Sequence, residues 1–527
     1  MNAGKTIIVS NSLPVNVELD GDNIVYHNSE GGLAADLSCI FNDENSLWIG
    51  WPGIATRNLQ LQQRIKSELE EKRFISVMLG EQEANEHEGF SNETLWPLFH
   101  YFPSYAKFNI ERWESYVSVN RKFAHAIVEV VNERDTIWIH DYHLMLVPAM
   151  VREMQPNVSI GFFQHIPFPN YEVFRILPWR NEIVKGFLGA DLIGFHTDED
   201  VMHFTEIVEQ ISNDEFQEVS VLSNEILIDD RSVTVNAFPM GIDYRKYDML
   251  ARCESVARMK GKIIEHAGNM KLMISIDRLD YSKGIVHRLQ AYDHFLKKHP
   301  EFHEKVVFIQ LIVPSGDTIE QNNLLKEEVN RLVGDINTRY SSMDWSPILY
   351  FYRSLSQEEL SGFYVAADVA LVTPLRDGMN LVSKEYVASK TDLRGVLILS
   401  EMAGAAKELT QAIIINPNDK KELASAIYQA LTMPVREQMK RMKSMQRNVS
   451  QHTVHQWAVH FMITLKEASL VQHAFDLHVY NEEMEEHILH QFISRKDAAA
   501  ILEHLNLKPK PKDKEASIVV QKSFQSN

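Results

Sequence analysis

Two short segments place charged residues directly after apolar runs. Ile276-Asp277-Arg278-Leu279-Asp280-Tyr281-Ser282-Lys283-Gly284 follows a strand pattern and precedes an amphipathic helix pattern. Arg278 and Lys283 therefore sit on the loop at the C-terminal end of a strand. Two cations there, beside helix N-terminal amides, suit a pyrophosphate or another leaving group that gains negative charge. Taken alone, the pair reads equally as a solvated basic pair. Thr373-Pro374-Leu375-Arg376-Asp377-Gly378-Met379-Asn380-Leu381-Val382 also follows a strand and opens a helix. Gly378 lets the backbone approach a ligand, and the amides beyond it point at an anion. Glu385 lies one to two turns into that helix, where a carboxylate can accept hydrogen bonds from ribose hydroxyls. Asp377 by itself reads as well as an ordinary N-cap. The coincidence of two such loops favours function.

Trp138-Ile139-His140-Asp141-Tyr142-His143 and Phe163-Gln164-His165-Ile166-Pro167-Phe168-Pro169 each follow another strand pattern. Asp141 and His165 can project into a cleft as partners of sugar hydroxyls. The histidines lack H-E-x-x-H or comparable ligand spacing, so no metal site is expected. Trp48, Trp51 and Trp96 read as core aromatics or as platforms for a sugar ring. Walker A spacing is absent, as is an Asp-x-Asp pair on a strand end.

These loops need elements to hold them. Thr6 to Ser10 is a short continuous apolar run, the signature of a strand buried on both faces of a parallel sheet. Val15 to Leu19 and Ile24 to His27 flank Asp20-Gly21-Asp22-Asn23 and read as a hairpin. Gly31-Gly32-Leu33 opens a helical stretch. Strand patterns recur at 136–139, 159–163 and 192–195. A second series, at 271–276, 305–313, 348–352, 369–372, 395–399 and 412–416, begins after Phe238-Pro239-Met240-Gly241. Two successive βα series predict an α/β protein with two doubly wound, Rossmann-like domains facing a cleft. The division read from the sequence is 1–243, 244–453, a helix at 454–467 crossing back to the first domain, a helical extension at 468–505 and a tail at 506–527. The tail is rich in Lys, Pro, Ser and Gln and reads as disordered.

Composition agrees with a globular chain: 45% hydrophobic and 24% charged residues in 527. With 53 Lys and Arg against 72 Asp and Glu, the net charge is −19, which argues against a nucleic-acid partner. Two cysteines, Cys39 and Cys253, exclude a disulfide scaffold. No stretch has the length of a membrane span, and residues 1–10 lack a signal-peptide pattern, so the expected location is the cytoplasm.

The constellation resembles the trehalose-6-phosphate synthase family, retaining glucosyltransferases with the two-domain GT-B arrangement. The resemblance runs from about Thr6 to about Leu465. It is carried by Ser29-Glu30-Gly31-Gly32-Leu33, Gly50-Trp51-Pro52-Gly53, Leu95-Trp96-Pro97-Leu98-Phe99-His100-Tyr101, Trp138 to Leu144, Gly161 to Pro169, Arg278 to Gly284 and Pro374 to Glu385. It implies that Gly32, Arg278 and Lys283 contact a nucleotide diphosphate. It implies that Asp377, Gly378, Met379, Asn380 and Leu381 hold the donor glucose, with Val382 beside the nucleotide and Glu385 on the ribose. Asp141 and His165 match the residues at the reacting sugars. The first domain would bind acceptor and the second nucleotide sugar. The donor is implied to be UDP-glucose or a related nucleotide glucose, used as substrate with no cofactor and no metal. Attack on the face that the diphosphate leaves would retain configuration.

The acceptor side departs from the pattern. The family usually reads Ser-Asn-Arg-Leu-Pro, a Tyr before Phe-Ser-Asn, and Val-Pro-Ser-Arg. Here those places carry Ser12, His87 and Gly316. Two guanidiniums and a phenol that hold the phosphate of glucose 6-phosphate are missing, with Trp51 and Trp96 still present beside them. Other cations, such as Lys107 or Arg112, are the alternative holders. The resulting expectation is a glucosyltransferase whose small sugar or polyol acceptor is not glucose 6-phosphate. Ordinary trehalose-6-phosphate synthesis and a non-catalytic regulator that binds sugar nucleotide are the alternatives. A homo-oligomer is compatible with the sequence. The stretch after Leu465 lacks an Asp-x-Asp-Gly-Thr signature, so phosphatase activity is not expected.

Overall fold

The computed structural model describes residues 4–20, 23–28, 37–38, 40–41, 45–56, 58–215, 219–228, 231–314 and 320–477. The first half carries strands β1 (Thr6–Ser12), β2 (Val15–Asp20), β3 (Asn23–Asn28), β4 (Ser46–Trp51), β5 (Phe74–Ser76), β6 (Thr136–His140), β7 (Ser159–Phe163), β8 (Leu192–Phe195), β9 (Val219–Leu222), β10 (Glu225–Ile228) and β11 (Arg231–Ala237). The second carries β12 (Lys271–Arg278), β13 (Val306–Val313), β14 (Ile348–Tyr352), β15 (Val369–Val372), β16 (Val396–Ser400) and β17 (Ile413–Ile415).

The second sheet has the order β14-β13-β12-β15-β16-β17 and is parallel throughout. Numbered from β12, that is the doubly wound order 3-2-1-4-5-6, with its switch point between β12 and β15. The two loops with candidate donor residues leave from these two strands. Strand period 2 divides the apolar side chains between the faces. Met273, Phe308, Leu371 and Ile398 pack on one side, and Leu272, Ile274, Ile309, Val372 and Leu399 on the other.

The first sheet has the order β5-β4-β1-β6-β7-β8-β11-β10-β9. Asp141 therefore follows a strand of one sheet and Arg278 ends a strand of the other. β2 and β3 form the expected hairpin, paired from Val15–Asn28 to Asp20–Asn23. Its turn and the Gly31-Gly32-Leu33 stretch lie outside the described residues. Strands β4, β5 and β9–β11 were not anticipated. β5 is three residues long, too short to show a period, and β9–β11 form an antiparallel edge that breaks the βα alternation.

The chain crosses between the halves twice, side by side: Ile242 bridges Thr453, and the Val454 amide donates to the Ile242 carbonyl at 3.1 Å. The last described helix, Val454–Leu477, is longer than the expected 454–467. Its Trp457, Phe461 and Leu465 pack with Trp138, Phe163 and Phe238 of the first half. Phe461 stacks on Trp138 at 4.8 Å over Gly161, where a Cβ would lie 2.7 Å from the ring. The remainder of the expected 468–505 extension beyond Leu477, and the tail at 506–527, lie outside the described residues.

Candidate active site

The loop after β12 is held by a buried arginine. Arg288, fully buried in helix Ile285–Lys298, reaches Asp277 Oδ2 at 2.5 Å, Thr373 Oγ1 at 2.9 Å and the Lys283 carbonyl at 3.0 Å. One guanidinium thus ties the end of β12, its loop and the start of the loop after β15. Gly284 completes the turn at φ +67°, and a Cβ there would stand 2.3 Å from the Thr373 carbonyl. Only glycine meets both demands.

On this support Lys283 Nζ lies 2.9 Å from Asp377 Oδ2. Asn380 Nδ2 also donates to that oxygen, at 3.0 Å. Burial pushes the Asp377 carboxyl up, but the Lys283 charge and the hydrogen bonds from Lys283 and Asn380 outweigh it and hold the group below the usual carboxylate range. Asp377 is not the N-cap of helix Leu381–Ser389. Asn380 is, at φ +72°, accepting from the Ser383 amide at 3.1 Å. The Asp377 side chain is thus tied to Lys283 and Asn380 and caps no helix.

Arg278 is exposed at the end of β12. Its guanidinium carbon lies 5.5 Å from the ring of Trp96 in the first half, and Lys283 Nζ lies 5.8 Å from the same ring. Trp96 stacks on His100 at 4.0 Å, so this aromatic is both core and cleft wall. Trp51 donates to the Ile54 carbonyl at 3.1 Å and is half-buried, and Ser12 closes β1 with its carbonyl bonded by Ser10 Oγ.

Asp141 follows β6 at φ +74°, a strained conformation for a non-glycine residue. The His165 amide donates to its Oδ1 at 3.1 Å, and the loop after β7 thus rests on it. Burial raises its carboxyl to about 7, against the pull of the Tyr142, His165 and Ile166 amides and of Arg278 across the cleft. His165 Nε2 and His140 Nδ1 lie 3.1 Å apart, and burial pushes both imidazoles down, so they are neutral near pH 7. The two halves meet at the remaining loop: a Cβ on Gly378 would stand 2.4 Å from the His165 carbonyl.

Glu385 is partly buried in helix Leu381–Ser389, and the Tyr364 hydroxyl donates to its Oε2 at 2.7 Å. Burial raises its carboxyl, and hydrogen bonds from Tyr364 and Tyr247 partly offset the rise. Met379 is buried, and Leu381 and Val382 are half-buried against the core beneath. Sequence reading missed Arg288, Tyr364, Tyr247 and Arg376. Only Arg376 lay inside a quoted motif, and Arg288 and Tyr364 each have a partner more than 20 residues away, Thr373 and Glu385.

His87 is buried, with Nε2 3.1 Å from the His143 carbonyl and its ring stacked on Tyr116. Burial lowers it to about 4, so it is a neutral core imidazole near pH 7 and not a partly charged phosphate partner. Lys107 and Arg112, the alternative cations, both engage Glu93, at 2.9 and 3.1 Å. Gly32 and Gly316 lie outside the described residues. Among the described residues no cluster of three His, Cys, Asp or Glu could hold a metal ion, and no helix is long and apolar enough to cross a membrane.

A family model described as Glycosyltransferase family 20 matches residues 4–467. The chain belongs to that family. The alpha,alpha-trehalose-phosphate synthase [UDP-forming] of Candida albicans is 41% identical over 470 residues, covering 88% of this chain and 97% of that protein. The bifunctional trehalose-6-phosphate synthase/phosphatase of Thermoproteus tenax is 42% identical over 475 residues, and there the match spans only 63% of the relative's length. A crystal structure of an alpha,alpha-trehalose-phosphate synthase (UDP-forming) from Burkholderia xenovorans, in complex with glucose-6-phosphate, superposes with a TM-score of 0.78. It is 32% identical and covers 88% of this chain and all of that one.

These family 20 relatives overturn the expectation of an acceptor other than glucose 6-phosphate. Likeness to synthases runs the length of both domains, including a structure with that acceptor bound. The error was to judge an anion site from three side chains. Phosphate affinity is the sum of backbone amides, dipoles and cations over the whole cleft. One of the three, His87, is packed in the core and offers no charge at all.

Proposed function

We propose that this family 20 chain is an α,α-trehalose-6-phosphate synthase, moving glucose from UDP-glucose to glucose 6-phosphate. The C1–phosphate oxygen bond of the donor breaks, and C1 bonds to the anomeric oxygen of the acceptor on the same face. The acceptor proton passes to the departing phosphate oxygen, and UDP leaves. Arg278 and Lys283 take up the charge that develops on the diphosphate. Asp377 and the amides from Gly378 to Leu381 hold the donor glucose, Val382 lies beside the nucleotide and Glu385 takes the ribose. Asp141 and His165 orient hydroxyls of the reacting sugars from the opposite domain. On this reading residues 1–243 bind acceptor and 244–453 bind nucleotide sugar.

The observation that carries the reading is the exposed Arg278 and the Lys283–Asp377 pair facing Asp141 across one cleft, in a chain similar throughout both domains to UDP-forming synthases. The test is UDP release from UDP-glucose with glucose 6-phosphate or unphosphorylated glucose as acceptor, with the disaccharide identified by NMR. Glucose 6-phosphate should be used far better, giving the α,α-linked phosphorylated product. Release no faster than donor hydrolysis would reject the reading, and a GDP-glucose control checks the nucleotide.

A further inference from the structure

We propose that Arg376 is a positioning residue that latches the donor-sugar loop of the second domain onto the first domain, so that domain closure and placement of Asp377 are one event. The proposal rests on the reading of Asp377 as the donor-glucose residue.

The backbone on either side of Arg376 belongs to the second domain. The Leu375 amide donates to the Ser282 carbonyl at 2.7 Å and the Asp377 amide to the Met402 carbonyl at 3.1 Å. With the Lys283–Asp377 pair, these bonds make the two loops a single body. The Arg376 side chain leaves that body. Its guanidinium carbon lies 4.4 Å from the ring centroid of Tyr101 in the first domain. Its charge also acts on Asp200 of the first domain, with which it lines a polar cavity of about 260 Å³ between the domains.

The receiving residues are themselves fixed. Tyr101 has φ +66°, a conformation a bulky residue adopts only when its surroundings enforce it. Its hydroxyl accepts from the Asn170 amide at 2.9 Å. Asp200, buried, accepts from the Phe168 amide at 2.8 Å and from Thr197 Oγ1 at 2.6 Å. Phe168 and Asn170 lie on the loop that carries His165. Arg376 thus connects the loop of Asp377 to the loop of His165, where Gly378 already abuts the His165 carbonyl. A half-buried cation over a ring, sharing a cavity with a buried carboxylate, is held more strongly than a fully exposed pair.

Three readouts test this in the full chain: UDP affinity by calorimetry, the change in radius of gyration on adding UDP-glucose by solution scattering, and steady-state kinetics. Wild type should contract on adding UDP-glucose, and absence of contraction there would itself overturn the latch. Arg376→Ala should leave UDP affinity within about twofold, fail to contract, and lower kcat by about tenfold or more. Arg376→Lys should fall between, because it keeps the charge and loses the planar group. Tyr101→Phe keeps the ring and should compact like wild type. Tyr101→Leu should match Arg376→Ala, and the double variant should be no worse than either single. Wild-type compaction and kcat in Arg376→Ala would overturn the latch, as would parallel losses of UDP affinity and thermal stability, which mark a purely structural role. Additive single effects would overturn it too. Scattering and UDP affinity need no acceptor, so they report on the latch even if glucose 6-phosphate proves not to be the acceptor.

Discussion

Lys283 and Asp377 stand 94 residues apart in the chain and 2.9 Å apart in space. The contact joins the loops leaving β12 and β15, the strands where the doubly wound order reverses. Side chains from both loops converge there because successive crossovers run to opposite sides, opening a crevice at the strand ends. Lys283 holds Asp377 ionised, and on the proposed reading it also lends charge to the diphosphate beside Arg278.

Removal of either cation should reach the transition state. Arg278→Ala and Lys283→Ala are each expected to lower turnover by about two to three orders of magnitude, the usual loss when a preorganised charge stabiliser is removed. Initial rates of UDP release check this. Lys283→Ala should be the worse for folding, since it leaves the Asp377 carboxylate without its counter-charge.

On the proposed reading Glu385 takes the ribose, away from the reacting carbon, so its loss should appear in binding. Glu385→Ala is expected to weaken UDP by about tenfold, with kcat at saturation far less affected. Tyr364→Phe, which removes one hydrogen bond to Glu385, should cost less than Glu385→Ala. Calorimetric titration with UDP measures both.

Asp141 links activity and stability through pH. Its folded-state carboxyl ionises at about 7, above the unfolded value near 3.8. The folded form therefore binds the extra proton, and that stabilisation is complete below the unfolded value and lost as pH rises through about 7. Above that pH a carboxylate sits buried in the cleft. Asp141→Asn should raise the melting temperature at pH 8 relative to wild type and narrow the gap near pH 5. The same variant should lose most transfer activity, and the limb of kcat/KM that rises through about pH 7 in wild type should vanish. Calorimetry at the two pH values and a pH–rate profile would decide.

Arg288 offers a stability test away from the ligand. Its ion pair with Asp277 is fully buried, so Arg288→Ala leaves an uncompensated carboxylate in the core. A loss of about 3–5 kcal/mol is expected, read by chemical denaturation. Partial recovery in Arg288→Ala/Asp277→Asn would show that the stranded charge causes the loss.

Activity should also survive EDTA if, as proposed, Arg278 and Lys283 supply the positive charge that a metal would otherwise bring to a diphosphate. Loss on chelation with recovery on added magnesium would move that role to an ion.

The sequence by itself determined the two βα series, the loops with Arg278, Lys283 and Asp377, and the helix with Glu385. Continuous apolar runs mark strands buried on both faces, and chemistry at strand C-terminal ends follows from that topology. Short or antiparallel strands such as β5 and β9–β11 escaped, because three residues carry no period and an edge breaks the alternation. Three matters needed the tertiary structure. Arg288 looks like any helical arginine until β12 and β15 pair and bury it. Asp377 could have been a cap until Asn380 was seen to occupy that place. His87 could have faced a ligand until helix packing stacked it on Tyr116 and drove out its charge. Arg288 and His87 take their roles from residues far away in the chain, Asp377 is settled by local backbone geometry that tertiary contacts fix, and burial, which sets charge state and partners, is a property of the folded whole.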